Sequence, residues 1–332
     1  MAVKDEVLRR LTDHKGEAVS GESLAQELGV SRTAVWKAIK SLQSAGYPIE
    51  AGTNRGYSLP EDTDFMSGEA IKAFLAEDIP VYYYDKVTST NDKAREIAAD
   101  EKPARALVAA NCQTSGRGRI GRVFASPAGK GLYMSIILRP SFDMSRSVLV
   151  TTAASVAVVR ALEKLYDIHP KIKWVNDIYL DGKKITGILT EAVTDFESGQ
   201  IESLIVGIGV NCFESSAAEK EASSYGFIGG SISRNTLAAQ IVNEFMPIAD
   251  NIEDRSFIED YREHSNVIGR SMLVYKAGSL GDPDARPLRA KATGIAENGG
   301  LIIVHEDGPL KGETEILTSG EISIRFSDAD II

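Results

Sequence analysis

A seven-residue run rich in glycine and arginine, residues 116–122, is the part of this chain best suited to holding an anion. Its sequence, G-R-G-R-I-G-R, places three guanidinium groups and three glycines close together. Glycine lets a backbone turn sharply near a ligand, and arginine matches carboxylate or phosphate with a fork of N–H donors. Similar runs occur in disordered RNA-binding tails. Strand-like sequences flank this run, at 107–110 and 132–138, which favours an ordered active-site loop, here called the Gly/Arg loop.

A second polar cluster, Ser89-Thr90-Asn91, follows a strand-like segment and opens a helix. One interpretation is a helix cap with no further role. The other is a set of hydroxyl, amide and helix N–H groups that converge on a small polar ligand. Gln113, just before the Gly/Arg loop, could add an amide to the same pocket.

A third cluster, Lys173-Trp174-Val175-Asn176-Asp177, lies at a strand end. Asn176 and Asp177 could simply form a turn, or they could hold Mg²⁺ or position an amine. Lys184 lies across the next hairpin, three residues before Gly187. A lysine in a strand is usually solvated, but beside an anion-binding loop it is a candidate for stabilising charge on a transferring phosphoryl or acyl group.

The first 64 residues predict a winged helix-turn-helix. Ser31 is a good N-cap for the second helix of the motif, and a hairpin around residues 52–55 would form the wing. The alternative is a three-helix packing module with a solvated charged face. The residues expected to face DNA are Arg32, Thr33, Trp36, Lys37, Lys40 and Arg55.

Composition restricts the possible partners and the compartment. The net charge of −10 argues against non-specific nucleic-acid binding, so DNA contact requires a locally basic face. Residues 31–57 provide one, with four basic residues and one acidic residue. Two cysteines, Cys112 and Cys212, do not make a disulfide framework and predict a reducing cytoplasm. The longest apolar run, about 148–159, is short of the ~20 residues of a membrane span.

The remaining pattern predicts an α+β fold of three domains: residues 1–64, 65–267 and 268–332. Hairpins prevail over strand–helix–strand crossovers in the middle domain, so we expect a mixed, mostly antiparallel sheet with helices mainly on one face. Asp181-Gly182 would form one of its tight turns. The last domain consists of short strands with a turn at Asn298-Gly299 and predicts a small SH3-like β-barrel.

Taken together, these motifs closely resemble the family of bifunctional biotin protein ligases and biotin operon repressors. Order and spacing hold throughout nearly the whole chain, including the winged helix and the C-terminal barrel. The matching segments are Ser89-Thr90-Asn91, Gln113-Thr114, the Gly/Arg loop, Ser126-Pro127, Gly129-Lys130-Gly131-Leu132-Tyr133, the segments 173–177 and 184–189, and Gly207-Ile208-Gly209-Val210-Asn211.

The resemblance implies a role for each matching residue. Ser89, Thr90, Asn91 and Gln113 would bind biotin, with hydrogen bonds from Ser89, Thr90 and Gln113 to its ureido ring. Arg117, Gly118 and Arg119 would belong to a loop that orders over biotin and its adenylate. Arg119 and Arg122 would meet phosphate, and Asn176 would serve the nucleotide–Mg²⁺ end. Lys184 would contact the carboxyl side of biotin and stabilise the reacting centre, and Asp177 would serve the incoming lysine amine. No side chain is assigned as a metal ligand.

The implied activity is ATP-dependent formation of biotinyl-5′-AMP and transfer of biotin to a lysine of the biotin carboxyl carrier protein of acetyl-CoA carboxylase. The implied substrates and cofactors are ATP, biotin and Mg²⁺. An adenylate-bound homodimer would repress biotin genes at operator DNA, in the cytoplasm and without a membrane partner. The alternatives are a ligase with a vestigial winged helix, a ligand sensor without catalysis, and a lipoate ligase, whose characteristic Arg-Arg-x-Ser-Gly-Gly-Gly run is absent.

The chain departs from the family pattern at two positions beside the site. Phe124 stands where the family usually has Trp, and Val175 where it usually has Pro. Both remain apolar, so activity is still expected. The loop from 276 to 287 is longer than typical, which leaves the roles of the last domain and of Arg325 open.

Overall fold

The computed structural model of this chain describes residues 3–44, 47–52, 56–60, 64–140, 147–194, 201–221, 225–276, 287–318 and 322–326. The predicted domain boundaries at 64 and 267 fall between secondary-structure elements. Within the described ranges, no helix has the length and hydropathy needed to cross a bilayer.

The N-terminal module is the predicted winged helix. The Ser31 hydroxyl accepts a hydrogen bond from the Ala34 amide at 3.2 Å, so it caps the third helix as expected. Apolar side chains of the three helices form a separate core, and the wing is an antiparallel hairpin. Its tip, which includes Arg55, lies outside the described residues. The elements are α1 (Val3–Asp13), α2 (Gly21–Glu27), α3 (Arg32–Ser44), β1 (Glu50–Gly52) and β2 (Gly56–Ser58).

The middle domain is built on a seven-stranded sheet in the order β3-β4-β5-β9-β8-β7-β6. The β3–β4 pair is parallel and the other described neighbours are antiparallel, which confirms the predicted mixed sheet. Its elements are α4 (Gly68–Lys72), β3 (Val81–Tyr84), α5 (Thr90–Asp100), β4 (Arg105–Ala110), β5 (Gly131–Leu138), α6 (Ser147–Tyr166), β6 (Lys171–Lys173), β7 (Asp177–Leu180), β8 (Lys183–Thr194), β9 (Ile201–Asn211), α7 (Ser216–Glu221), α8 (Arg234–Asp250) and α9 (Phe257–His264).

Helices cover both faces of this sheet unequally. The large core lies on the side of α6, α8 and α9. On the opposite side, α5 packs Ala94, Ile97 and Ala98 against a smaller apolar cluster of β4, β5 and β9. The side chains on both faces of these strands are apolar, so helices must shield both faces from water. The prediction that helices lie mainly on one face therefore holds, with α5 on the other.

The C-terminal domain is a five-stranded antiparallel sheet in the order β13-β12-β11-β10-β14. Gly299 has φ +78° in the turn between β11 and β12, as an Asn-Gly turn requires. Most of the long loop, residues 277–286, lies outside the described residues, as does the side chain of Arg325. The strands are β10 (Ser271–Lys276), β11 (Leu288–Ile295), β12 (Leu301–His305), β13 (Thr314–Leu317) and β14 (Ile322–Phe326).

Candidate active site and nucleic-acid interface

The candidate catalytic residues converge on one end of the seven-stranded sheet. There β3, β4 and β9 finish while β5 and β8 begin, as the pairs Ala110–Tyr133, Gly131–Asn211 and Thr186–Val210 show. The loops that follow β3 and β4 therefore meet the hairpin that leads into β8. This topology brings together residues that are far apart in the sequence.

The segment Ser89-Thr90-Asn91 enters α5 beside Gln113. Ser89 occupies the N-cap position, but its side chain makes no capping hydrogen bond, so the structure does not support a capping role. The Thr90 amide and hydroxyl donate to Gln113 Oε1 at 2.8 and 3.1 Å. Gln113 Nε2 donates to Ser126 Oγ at 2.8 Å. These bonds fix which side of the Gln113 amide donates.

Asn91 is buried and bonded to protein groups on both sides of its amide. Its Nδ2 donates to Glu191 Oε2 at 2.7 Å, and Ser135 Oγ lies 2.7 Å from its Oδ1. Ser135 Oγ also lies 2.8 Å from Thr90 Oγ1. Asn91 thus connects β8 to the Thr90 and Gln113 network, and its direct contact with biotin remains a prediction.

Three glycines make room for side chains at the base of the site. A Cβ at Gly207 would lie 2.1 Å from Asn91 Oδ1, and one at Gly209 would lie 2.5 Å from the Phe124 ring. Gly187 pairs with Gly209 across β8 and β9, and its Cβ would lie 3.2 Å from the same ring. The Phe124 ring therefore packs against glycine backbone that carries no side chains. The larger Trp of the family pattern would need the same space.

The Gly/Arg loop has a defined conformation in which its arginines face different ways. Gly118 N donates to Arg122 O at 2.6 Å, and Ile120 (φ +55°) and Gly121 (φ +70°) adopt left-handed backbone conformations in the turn between them. Arg119 Nη1 donates to Asn176 Oδ1 at 3.2 Å. Arg117 instead pairs with the carboxylates of Asp92 and Glu191. The Arg122 side chain is exposed.

Lys184, Asp177, Asn176 and Arg119 form the charged centre of the site. Lys184 Nζ lies 2.7 Å from Asp177 Oδ1, and both side chains are half-buried. Asn176 Nδ2 donates to Asp177 Oδ1 at 3.1 Å and to the Ile188 carbonyl at 2.9 Å. Burial lowers the pKa of Arg119 and the charge of Asp177 opposes that shift, but an arginine side chain stays protonated. Two cations and one carboxylate leave a net positive centre suited to an anionic ligand.

Two residues support this centre from behind: Tyr261, which sequence reasoning did not select, and Trp174, which it named only as part of the third cluster. Tyr261 is fully buried, and its hydroxyl donates to the Val175 carbonyl at 3.1 Å. Trp174 Nε1 donates to the Gly299 carbonyl at 2.8 Å, so the turn between β11 and β12 contacts the segment that carries Asn176. Burial raises the pKa of Tyr261 well above its ordinary value, which keeps it a neutral donor.

The oxygen atoms near Asp177 suit a metal ion only when phosphate oxygens of a bound substrate complete its coordination. Within the described ranges, no group of three or more His, Cys, Asp or Glu side chains is placed to hold a metal. Asp177 and Asn176 offer oxygen atoms, but the Asp177 Oδ1 and Asn176 Oδ1 atoms already have partners. Mg²⁺ is commonly held by one or two carboxylates together with substrate phosphates, and this site fits that mode.

A second candidate surface lies on the winged helix. Five predicted DNA-facing residues are exposed on α3, including Trp36, whose exposed fraction is 51 %. Beside them is a groove of about 740 Å³ between α3 and the hairpin, lined in part by Arg32, Thr33, Trp36 and Tyr57. The apolar face of the same helix is buried, so its basic face is left to solvent. The exposed residues are Arg32, Thr33, Trp36, Lys37 and Lys40.

Three family models match the chain. The model of the biotin/lipoate A/B protein ligase family matches residues 82–211, an HTH-domain model matches 4–58, and the biotin protein ligase C-terminal domain model matches 280–325. These matches follow the three domains in order.

Known proteins resemble the chain over different lengths. The bifunctional ligase/repressor BirA of Bacillus subtilis is 38% identical over 63% of this chain, and the match spans 65% of that relative's length. The protein of the same name from Escherichia coli is 28% identical over 94% of this chain and 95% of its own. A structure of the Aquifex aeolicus biotin protein ligase in complex with biotin and ATP is 26% identical, with a TM-score of 0.60, over 75% of this chain and 99% of that one.

Proposed function

We propose that the chain is a biotin protein ligase, as its family models and relatives indicate, and that it activates biotin with ATP and transfers it to a carrier protein. The positive centre of Lys184, Arg119 and Asp177 beside the Thr90–Gln113 network carries this proposal. The products of the first step are biotinyl-5′-AMP and pyrophosphate. In the second step a lysine of the biotin carboxyl carrier protein of acetyl-CoA carboxylase receives the biotinyl group.

In the first step, the Thr90–Gln113 network binds biotin and the charged centre stabilises the reacting anions. Ser89, Thr90 and Gln113 hold the ureido ring, so that the biotin carboxylate lies beside Lys184. A carboxylate oxygen attacks the α-phosphorus of ATP, and the bond to pyrophosphate breaks. Both reactants are anions, so cations that lower their repulsion and fix their orientation lower the barrier. Lys184 and Arg119 supply that charge, with Arg122 and Asn176 on the nucleotide.

Asp177 serves the second step. The lysine amine attacks the acyl carbonyl of the adenylate, AMP leaves, and the amine loses a proton. A half-buried carboxylate at this place attracts and orients the incoming amine. The acyl-adenylate is prone to hydrolysis, and closure of the Gly/Arg loop excludes water. Asn176 and Asp177 would offer the nearest protein oxygen atoms to a Mg²⁺ ion carried by ATP, which would offset phosphate charge when bound.

The winged helix gives the protein a second activity as a biotin-responsive repressor. The exposed basic face of α3 supplies phosphate contacts and the means to enter a major groove. An adenylate-bound homodimer places two such helices on a palindromic operator. The other candidate is a ligase with a vestigial winged helix. The exposure of Trp36 between basic residues favours the repressor, because a vestigial helix has no need of an exposed indole.

The ligase activity is tested by ATP-dependent transfer of biotin to a carboxyl carrier domain. Wild type should transfer, and Lys184→Ala and Arg119→Ala should each lose about a hundredfold in rate, as expected when a charge that stabilises the transition state is removed. Lys183→Ala is the matched control, because Lys183 is exposed next to Lys184. Binding of biotin without any transfer by wild type would overturn the assignment.

The repressor activity is tested by gel shift with the upstream DNA of biotin genes, with biotin and ATP present. Lys37→Ala with Lys40→Ala should weaken binding and flatten its salt dependence, because two phosphate contacts are lost. Arg9→Ala is the control, since Arg9 lies on α1 and pairs with Glu6. No shift with wild type would favour the vestigial winged helix.

A further inference from the structure

Arg117 differs from the other arginines of the Gly/Arg loop in what its side chain contacts. Its Nη2 lies 2.8 Å from Asp92 Oδ1 and 3.0 Å from Glu191 Oε2. Arg119, two residues on, contacts Asn176 in the charged centre. The part of the loop around Arg117 is therefore attached to α5 and β8, while the part around Arg119 faces the reacting groups.

Asp92 and Glu191, here called the carboxylate pair, are shared with a second arginine. Arg95 Nη1 lies 3.0 Å from Asp92 Oδ1, and its Nη2 lies 3.1 Å from Glu191 Oε2. Two carboxylates and two guanidinium groups form a closed, neutral quartet. An isolated exposed ion pair contributes little to stability, but a network fixes the geometry of its members more firmly. Each of these side chains is between 25% and 39% exposed, so the quartet is partly shielded from water.

The carboxylate pair also reaches the residues proposed to bind the ureido ring. Glu191 Oε2 accepts from Asn91 Nδ2, and Asn91 Oδ1 lies next to Ser135 Oγ, which in turn contacts Thr90. One carboxylate oxygen thus receives hydrogen bonds from the Gly/Arg loop, from α5 and from this network.

The loop itself is narrow at its base, so an anchor on Arg117 affects the whole loop. Gly118 N donates to Arg122 O, and Phe124 N donates to the Gly116 carbonyl at 2.9 Å. Release of the Arg117 side chain would therefore let the base of the loop and the part around Arg119 move together.

We propose that Asp92 and Glu191 are positioning residues, which anchor Arg117 so that the Gly/Arg loop stays closed over the acyl-adenylate. This inference rests on the proposed ligase function. The carboxylate pair contacts neither reactant. It lowers the cost of ordering the loop when the intermediate is bound, and so slows release of the adenylate.

The anchor is tested first without substrate, by the rate at which trypsin cuts the Gly/Arg loop. Asp92→Asn and Glu191→Gln should each speed cleavage by about threefold or more, because the loop opens more often. Both variants keep the shape of the side chain and remove its charge. The matched control is Glu77→Gln, which removes a comparable exposed ion pair, with Arg105, outside the site. Equal cleavage rates in wild type and both variants would overturn the anchor.

The consequence for the reaction is tested by the dissociation rate of preformed biotinyl-5′-AMP. Asp92→Asn, Glu191→Gln and Arg117→Ala should each release it about three to ten times faster, the range expected when a shared ion pair is lost. Asp92→Asn placed on Arg117→Ala should add nothing further, because Asp92 acts on the loop through that arginine, whereas Glu191 also bonds Asn91. Multiplying effects, or release at the wild-type rate, would overturn the inference. Failure of wild type to form any adenylate would instead overturn the proposed function.

Discussion

At the scale of single residues, the site depends on glycines, whose backbone carries no side chain, as much as on charged side chains. Gly207 and Gly209 lie on the same face of β9, and their missing Cβ atoms leave room for the Asn91 amide and the Phe124 ring. A strand glycine usually weakens a sheet, and its presence often marks a place where another group approaches the backbone closely. Here two such approaches set the positions of the hydrogen-bonding network and of the ring beside it.

Gly207→Ala should damage both stability and biotin binding. The new methyl group would lie 2.1 Å from Asn91 Oδ1, so the buried amide must move and lose its bonds to Ser135 and Glu191. Overpacking of this kind costs about 1–3 kcal/mol of the free energy of unfolding. Denaturant unfolding and biotin titration calorimetry would measure the two effects.

The control for this substitution is Gly294→Ala in β11. A Cβ there would lie 3.6 Å from Ile302 Cδ1, an ordinary contact, so neither stability nor biotin binding should change appreciably. Equal behaviour of the two variants would show that Asn91 adapts freely and does not organise the pocket.

At the scale of elements, the helices behind the sheet are joined by ionisable side chains. Glu163 on α6 contacts His264 on α9 at 2.9 Å and His169 at 3.1 Å. The hydrogen bond to Glu163 is the main cause that raises the pKa of His169 above 6.5. Burial opposes ionisation of Glu163, but the hydrogen bonds from His169 and His264 outweigh it and lower its pKa below 4.5.

His169→Gln should lower the melting temperature at pH 5.5 but not at pH 9. A raised histidine pKa stabilises the fold fully below 6.5, and that contribution is lost as pH rises through the folded-state value. A lowered glutamate pKa contributes above 4.5 and is lost as pH falls through its folded-state value. The expected difference at pH 5.5 is about 1 °C, because the pair is exposed.

Thermal melts of wild type and variant at the two pH values make this comparison. His14→Gln is a suitable control, since its 3.4 Å contact with Glu17 lies within one turn of the N-terminal module. A difference for His169→Gln that is the same at both pH values would contradict the pKa argument.

At the scale of the whole molecule, one buried arginine connects the winged helix to the ligase domain. Arg234, at the start of α8, is 4% exposed and forms an ion pair with Asp64 in the linker. Its Nη1 also donates to Asn111 Oδ1 at 3.0 Å and to the Gly131 carbonyl at 3.1 Å. The linker is therefore fastened to the end of the sheet that carries the site. Neighbouring Asn235 adds bonds to the Phe65 carbonyl and the Ser67 amide.

Asp64→Asn should destabilise the protein and loosen this connection. Breaking a buried ion pair leaves the partner's charge uncompensated and costs about 3 kcal/mol. Differential scanning calorimetry should show a lower transition, with the winged helix separating from the ligase domain as an earlier step. The control Glu77→Gln breaks an exposed pair and should cost less than about 1 kcal/mol. A loss as small as that of the control would mean that Arg234 finds sufficient partners in Asn111 and the backbone.

The sequence by itself determined the local elements and the order of the motifs. Ser31 predicted the start of α3, Asp181-Gly182 predicted the turn between β7 and β8, and both are confirmed because capping and turn chemistry depend on neighbouring residues. The basic face of α3 was also readable, since helical period decides which side chains face outward. The roles of the site residues came from resemblance and stay predictions.

The tertiary structure alone decided which distant groups meet. The partnership of Arg117 with Glu191 crosses 74 residues, and that of Arg234 with Asp64 crosses 170. Neither carboxylate has a local pattern that marks it, because an acidic residue in a strand or linker is usually solvated. The packing of Phe124 against Gly187 and Gly209 likewise depends on the pairing of β8 with β9. Spacing along a chain predicts faces and turns, whereas contacts between loops depend on how the sheet brings its strand ends together.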